Sequence, residues 1–238
     1  MYSFKVKIAD VVILTKVNYK ETGEFFSSFK CEEKEQETIV IEKPEIEAFR
    51  KEVPYFTPEQ CERGILKYKM DMVLVKYGVF PVHASALSYK GKAYVFTALS
   101  GVGKSTHSRK WKEAFGEDVI IINDDRPYLK VTGDSVLVFS HPQSGKHNLY
   151  TNTSAEAAAI GKIIRDERNY IRRMTKAEMF PFLVQQSFTL DEKEATSRII
   201  MLIRQVLERV NAYEIHCNMD PDAAVIIKTQ IEEDMAGL

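Results

Sequence analysis

An α/β fold is what this sequence predicts, on three observations. Tyr2, Phe4, Val6 and Ile8 place apolar side chains at every second position, the period of a half-buried strand. The stretch from Ala93 to Ala98 is continuously apolar apart from Thr97, as in a strand covered on both faces, and it runs through glycines into a helical pattern at 104–115. Three further helical patterns, at 176–186, 192–210 and 220–235, occupy much of the C-terminal third, with a short strand at 212–216 between the last two. The chain therefore reads as a small N-terminal β-rich part with one helix (1–78), followed by an α/β domain (79–238) ending in helices.

Composition narrows the function classes. With 238 residues the chain has room for one large or two small units. Its 45% hydrophobic and 28% charged residues fit a packed globular protein. The 33 Lys and Arg against 34 Asp and Glu leave a net charge of −1, so no excess of positive charge exists to neutralise a nucleic-acid backbone. No apolar run approaches the roughly 20 residues of a membrane span, and Met1 to Asp10 alternates polar with apolar, unlike a signal peptide. A cytoplasmic protein with neither nucleic-acid nor membrane partners is expected. Cys31, Cys61 and Cys217 are odd in number and far apart, which argues against a disulfide framework or a zinc site.

In the N-terminal part, 11–14 and 38–41 are short β-branched runs, and the charge-rich 30–37 reads as a solvated loop. Thr57-Pro58-Glu59-Gln60 is a helix start: the Thr57 hydroxyl suits the Gln60 N–H, the Gln60 side chain can reach back, and Pro58 fits the first helical position. Ile65, Leu66, Met70, Val73 and Leu74 give that helix an apolar face, and Gly78 is a natural stop. Beyond it, 80–89 is strand-like with His83 upon it, 119–122 is a buried strand, and 128–139 is a hairpin turning at Gly133-Asp134. Trp111 reads as a core anchor, and His107 as an outward-facing residue on the same helix. The polar stretch 141–153 is long for a connection, and such loops are often functional.

The most informative segment is Ala98-Leu99-Ser100-Gly101-Val102-Gly103-Lys104-Ser105-Thr106. It lies after a buried strand and at a helix start, where a phosphate-binding loop must lie. Its glycines let successive N–H groups turn inward to a nest that, with the helix N-terminus, holds an anion. Residues 100–106 are the candidate nucleotide-binding set, with Lys104 on the β/γ-phosphates and the Ser105 hydroxyl on magnesium. Ala98 stands where the usual pattern has its first glycine. The strand at 119–122 then ends in Asn123-Asp124-Asp125. Ligands of open α/β sheets sit beyond the carboxyl ends of strands, so both acids should face the loop's crevice, provided the chain turns at Asp124. Phosphoryl transfer needs one carboxylate for magnesium and another group to deprotonate the attacking hydroxyl; the plainer reading is a pair of turn acids. On pattern alone His83 is more often a hydrogen-bonded core residue.

Three stretches, Pro81-Val82-His83-Ala84-Ser85-Ala86, Ser100 to Thr106, and Asn123-Asp124-Asp125-Arg126, resemble in order and spacing the HPr kinase/phosphorylase family within the phosphoenolpyruvate-carboxykinase-like superfamily, above all its short HPr-kinase-related members. Ser144-Gly145-Lys146 is similar to a Ser-Gly-Lys loop of those relatives. The resemblance implies a phosphoenolpyruvate-carboxykinase-like P-loop core with a mixed β-sheet, and an ATP- and Mg²⁺-dependent kinase acting on a hydroxyl, often a serine of a peptide or protein. It implies Asp124 as general base, Asp125 beside the metal, His83 beside the base, and Lys146 near the transferred phosphate. The second signature by which HPr kinase/phosphorylases engage their partner protein is absent, so HPr itself is not the expected acceptor. The relatives are commonly oligomeric, which raises a homo-oligomer without any interface pattern in this sequence. A nucleotide-binding regulatory or partner-binding protein without transferase activity is the alternative. Carboxykinase lyase chemistry is disfavoured by the short chain.

Overall fold

The computed structural model describes residues 1–99, 101–145, 148–187 and 192–237. The chain divides into two compact units, Met1–Val79 and Phe80–Leu238.

In the first unit β1 (Tyr2–Ile8) and β2 (Val11–Val17) form a hairpin, and β3 (Glu37–Val40) adds parallel to β2. Ala9 and Asp10 turn the hairpin with φ of 48° and 64°, the left-handed pair that a two-residue turn demands. Helices α1 (Lys20–Phe25), α2 (Lys43–Glu52) and α3 (Pro58–Val75) follow. The Thr57–Gln60 box caps α3 as the sequence predicts, with the Gln60 side chain 2.9 Å from the Thr57 N–H. The unit holds three helices where one was expected. The start of α2 is marked by Glu42 and Glu45, with the Glu45 carboxylate accepting the Glu42 N–H at 2.8 Å, and Glu is not a usual capping residue. The six-residue α1 has no side-chain cap. Glu62 of α3 is fully buried and accepts hydrogen bonds from the Asn18 and Tyr19 main chain and from Thr22 Oγ1, as a buried carboxylate must.

The second unit is built on a nine-stranded mixed sheet. Its elements are β4 (Val79–Pro81), β5 (Ala84–Tyr89), β6 (Lys92–Thr97), α4 (Lys104–Phe115), β7 (Val119–Asn123), β8 (Tyr128–Thr132), β9 (Ser135–Phe139), β10 (Ser154–Arg165), β11 (Tyr170–Met174), α5 (Lys176–Gln186), α6 (Lys193–Arg209), β12 (Asn211–Cys217) and α7 (Ala223–Ala236). The strands run in the order β4-β8-β9-β10-β6-β5-β7, and β12 pairs with both β10 and β11. Because β6, β10 and β12 are mutually parallel, their carboxyl ends share one edge of the sheet. β5 is antiparallel to both β6 and β7, so the end of β7 and the start of β5 reach that edge too. This register determines which side chains can meet.

The segment 154–174 departs from the expected mostly helical remainder. It forms β10 and β11, although Ala155, Ala157, Ala158 and Ala159 favour a helix. Pairing with β6 along one side and with β9 and then β12 along the other overrides that local preference. The expected strand at 80–89 is broken at Val82–His83, so His83 sits at a bend between β4 and β5. α4 and α7 pack on one face of the sheet around Trp111, which is fully buried against Tyr94 and Phe96. Truncating a side chain so placed costs about 3–5 kcal/mol. His107 also points inward, 3% exposed, contrary to the outward placement expected of it. Among the described residues no helix is long and apolar enough to cross a membrane, and the three cysteines form no disulfide.

Candidate active site

The loop between β6 and α4 has the backbone its sequence requires. Gly101 (φ 78°) and Gly103 (φ 123°) occupy conformations that side chains resist, and α4 starts at Lys104. Ala98 is fully buried in the cluster around Trp111, so its methyl packs beneath the loop and takes no part in the nest. Arg165, at the end of β10, donates from Nη2 to the Gly101 carbonyl (2.6 Å) and from Nε to the Val102 carbonyl (3.0 Å). This fork ties the loop to β10 through its carbonyls, and the Val102 N–H closes a turn on the Leu99 carbonyl at 3.3 Å. Sequence reasoning missed Arg165, because only the β10–β6 pairing carries it to the loop. Ser100 and Lys146, both candidate phosphate ligands, lie outside the described residues.

Lys104 is 9% exposed, and burial pulls its ammonium below the usual range, with the Asp125 charge opposing. Ser105 Oγ donates to the main-chain carbonyl of Asp124 at 3.2 Å, which joins the helix start to the tip of β7. Thr106 and Val102 border a cavity on the far side of the loop.

At the tip of β7 the chain turns, as both acids required. Asn123, fully buried, makes that turn: its Oδ1 accepts the N–H groups of Asp125 (2.9 Å) and Arg126 (2.6 Å). Its Nδ2 donates to the carbonyls of His141 (2.9 Å) and Gln143 (3.0 Å), tying down the long loop. Asn123 is therefore the organising residue of the site; the available signal was an Asn ahead of two acids at a strand end, the composition of an Asx turn. Asp124 is 3% exposed, and its Oδ1 accepts the Gly145 N–H at 2.6 Å. A Cβ on Gly145 would lie 3.2 Å from both Asp124 carboxylate oxygens, so only glycine leaves that carboxylate undisturbed.

Asp125 points elsewhere. Its Oδ1 lies 3.6 Å from His83 Nε2, and its Oδ2 lies 3.4 Å from Arg126 Nε. His83 Nδ1 is 3.1 Å from Gln186 Oε1, which places the imidazole proton on Nδ1 and turns a bare Nε2 toward Asp125. Burial, reinforced by the Lys104 charge and opposed by Asp125, holds the His83 pKa below its ordinary value, which favours the uncharged ring. The structure thus brings together Lys104, Ser105, Asp124, Asp125 and His83. Among the described residues no group of three or more His, Cys, Asp or Glu gathers as a metal cage. Magnesium does not need one, since it keeps waters and takes one or two carboxylates with phosphate oxygens. The Ser105 hydroxyl fits that pattern: its proton is directed at the Asp124 carbonyl, leaving oxygen lone pairs for a cation.

On the other flank, a cavity of about 540 Å³ opens between the loop, the N-terminal turns of α4, and the carboxyl ends of β10 and β12. Its size is that of a small-molecule site. No protein-family model matches the sequence, and no curated protein matches it. Among solved structures, the chain is similar to the Hpr(Ser) kinase/phosphatase from Coxiella burnetii, with a TM-score of 0.39 and 12% identity over 66% of this chain and 97% of that one. So loose a superposition carries no activity from one chain to the other.

Proposed function

We propose that the protein is an ATP- and Mg²⁺-dependent kinase that transfers the terminal phosphate to a hydroxyl, the acceptor being a serine of a peptide or protein. The observation that carries this reading is the joint between loop and strand tip: the Ser105 hydroxyl donates to the main-chain carbonyl of Asp124 at 3.2 Å, which ties the helix start to the strand end that bears two adjacent acids. A nucleotide-binding loop alone would need no such pair.

In this reading the N–H groups at the start of α4 (103–105) and the Lys104 ammonium hold the β- and γ-phosphates, and the 540 Å³ cavity takes the nucleoside. Ser105 and Asp125 hold Mg²⁺, whose charge offsets the negative charge developing on the transferred group. Asp124 accepts the proton of the attacking hydroxyl; that oxygen bonds to the γ-phosphorus as the bond to the β-phosphate oxygen breaks, and ADP leaves. Gly145 and Asn123 keep Asp124 aimed. His83, neutral and bare at Nε2, orients Asp125 or the incoming hydroxyl.

Replacing Asp124 by Asn tests this directly. Phosphate transfer from labelled ATP to a panel of serine peptides should fall by about a thousandfold, the middle of the range for a general base. Calorimetric ATP affinity should change less than about threefold, well under the 1.4 kcal/mol of a tenfold effect. Transfer by the variant at near the wild-type rate removes Asp124 from the mechanism. Binding of ATP by the wild type with no transfer to any acceptor favours the regulatory alternative.

A further inference from the structure

The last turn of α5 is fastened to the bend that carries His83, 103 residues away in the sequence. The His83 N–H donates to the Gln186 carbonyl at 2.8 Å, and Ser187 pairs with Val82 beside it. Thr97 Oγ1 donates to the His83 carbonyl at 3.0 Å. The Gln186 side chain, 7% exposed, sets its Oε1 3.1 Å from His83 Nδ1. Three of the four polar groups of His83 are thus engaged, and the fourth, Nε2, stands 3.6 Å from Asp125 Oδ1.

We infer that Gln186 is a positioning residue for the transfer: by accepting the Nδ1 proton of His83 it turns a lone pair, and not an N–H, toward Asp125, so that Oδ1 of that carboxylate stays open to the site; this rests on the kinase reading given above. An uncharged imidazole carries one ring proton, so holding that proton at Nδ1 settles the state of Nε2. An open Oδ1 is what a magnesium ligand requires, since the ion needs an oxygen lone pair directed at it.

A second histidine of the same domain shows what the other tautomer would do. His216 Nδ1 lies 2.9 Å from Asp166 Oδ2, and Oδ1 of the same carboxylate accepts the Arg168 N–H at 3.1 Å. His216 Nε2 lies 3.0 Å from Glu214 Oε1. An N–H that meets a carboxylate closes to about 2.7–2.9 Å when charge assists it, and both His216 contacts are near that length. The 3.6 Å between His83 Nε2 and Asp125 is the separation of two acceptors. With the proton on Nε2, His83 would draw in Oδ1 while Oδ2 lies 3.4 Å from Arg126 Nε, and Asp125 would be tied on both sides as Asp166 is.

Nitrogen-15 NMR of the full chain, labelled at histidine and free of nucleotide, reads the tautomer directly; the His83 signals are those lost in His83→Gln. In the wild type at pH 7 the ring proton should be on Nδ1, and a proton on Nε2 overturns the inference. Gln186→Met keeps the length of the side chain and exchanges its amide oxygen for a weak acceptor, while the main-chain tie to His83 remains. In that variant the proton should pass to Nε2 and kcat for peptide phosphorylation should fall about tenfold. A variant that keeps the proton on Nδ1, or that moves it and still transfers phosphate at the wild-type rate, overturns the inference as well. If the variant does not fold, the wild-type spectrum still decides. A wild type with its proton on Nδ1 that binds ATP and transfers nothing fails the kinase reading and this inference with it, whereas a proton on Nε2 fails the inference alone.

Discussion

The two flanks of the loop strand β6 deliver polar groups to the same sheet edge and use them in opposite ways. On the β10–β12 flank, Asn218 and Asp166, with Lys110 and His107 of α4, hydrogen-bond to neighbouring side chains or main chain, and the result is a wall. On the β5–β7 flank, Asp125 stands 3.6 Å from His83, beyond hydrogen-bond length, with both side chains about a third exposed. A gap between an anionic oxygen and a basic nitrogen is where a hydroxyl or a cation can enter. In the proposed reading the same residue types make scaffold where they meet one another closely and chemistry where a gap is left between them.

Breaking the β5–β7 flank at its turn should cost stability and transfer together, and Asn123 is the place to do it. Asn123→Ala removes four hydrogen bonds and leaves two N–H groups and two carbonyls without their partner. A loss of about 3 kcal/mol in urea unfolding is expected, since each orphaned buried group costs about 1–3 kcal/mol and some will find water. Transfer should fall about a hundredfold, because Asp124 and Asp125 lose the turn that aims them. ATP affinity should hold within a few-fold. If stability drops and transfer survives, the turn is scaffold only, and the contrast between the flanks fails.

A smaller change sharpens the same point. Gly145→Ala puts a methyl 3.2 Å from both Asp124 oxygens and leaves the rest of the site alone. The carboxylate must shift by a few tenths of an ångström, so kcat should fall about tenfold with the KM for ATP unchanged. An unaltered kcat would mean that the position of Asp124 is immaterial to the reaction.

These positions were legible in the sequence to different degrees, for physical reasons. The loop was readable because Gly101 and Gly103 are needed where the backbone goes to positive φ, a requirement carried by residue type alone. Asp124 and Asp125 were readable as strand-tip acids, although their division of directions depends on Asn123, whose role needs the loop at 141–143 to be placed. β10 was hidden because its alanines have helical propensity, and only its three neighbouring strands decide the matter. With β10 hidden, Arg165 and the whole second flank were invisible too. His107 read as a surface residue since nothing local announces that α4 turns that face toward Trp111.

The satisfied flank should respond to acid through stability, and His107 is the residue to show it. Burial, assisted by the Lys110 charge, pushes its pKa down to about 4 from an ordinary value near 6.5. Between those two values the unfolded chain binds a proton that the folded chain refuses, so stability is complete above about pH 6.5 and declines as pH falls toward 4. The decline has a limiting slope of about 1.4 kcal/mol per pH unit from this one group. His107→Gln keeps an acceptor for the Trp111 N–H and removes the titration, so it should flatten the urea-midpoint profile from pH 7 to 5 while leaving ATP transfer at pH 7 nearly unchanged. If the variant loses as much stability on acidification as the wild type, other groups carry the acid sensitivity. A fall in transfer at pH 7 would instead give this wall a part in the chemistry, and the division between the flanks would have to be redrawn.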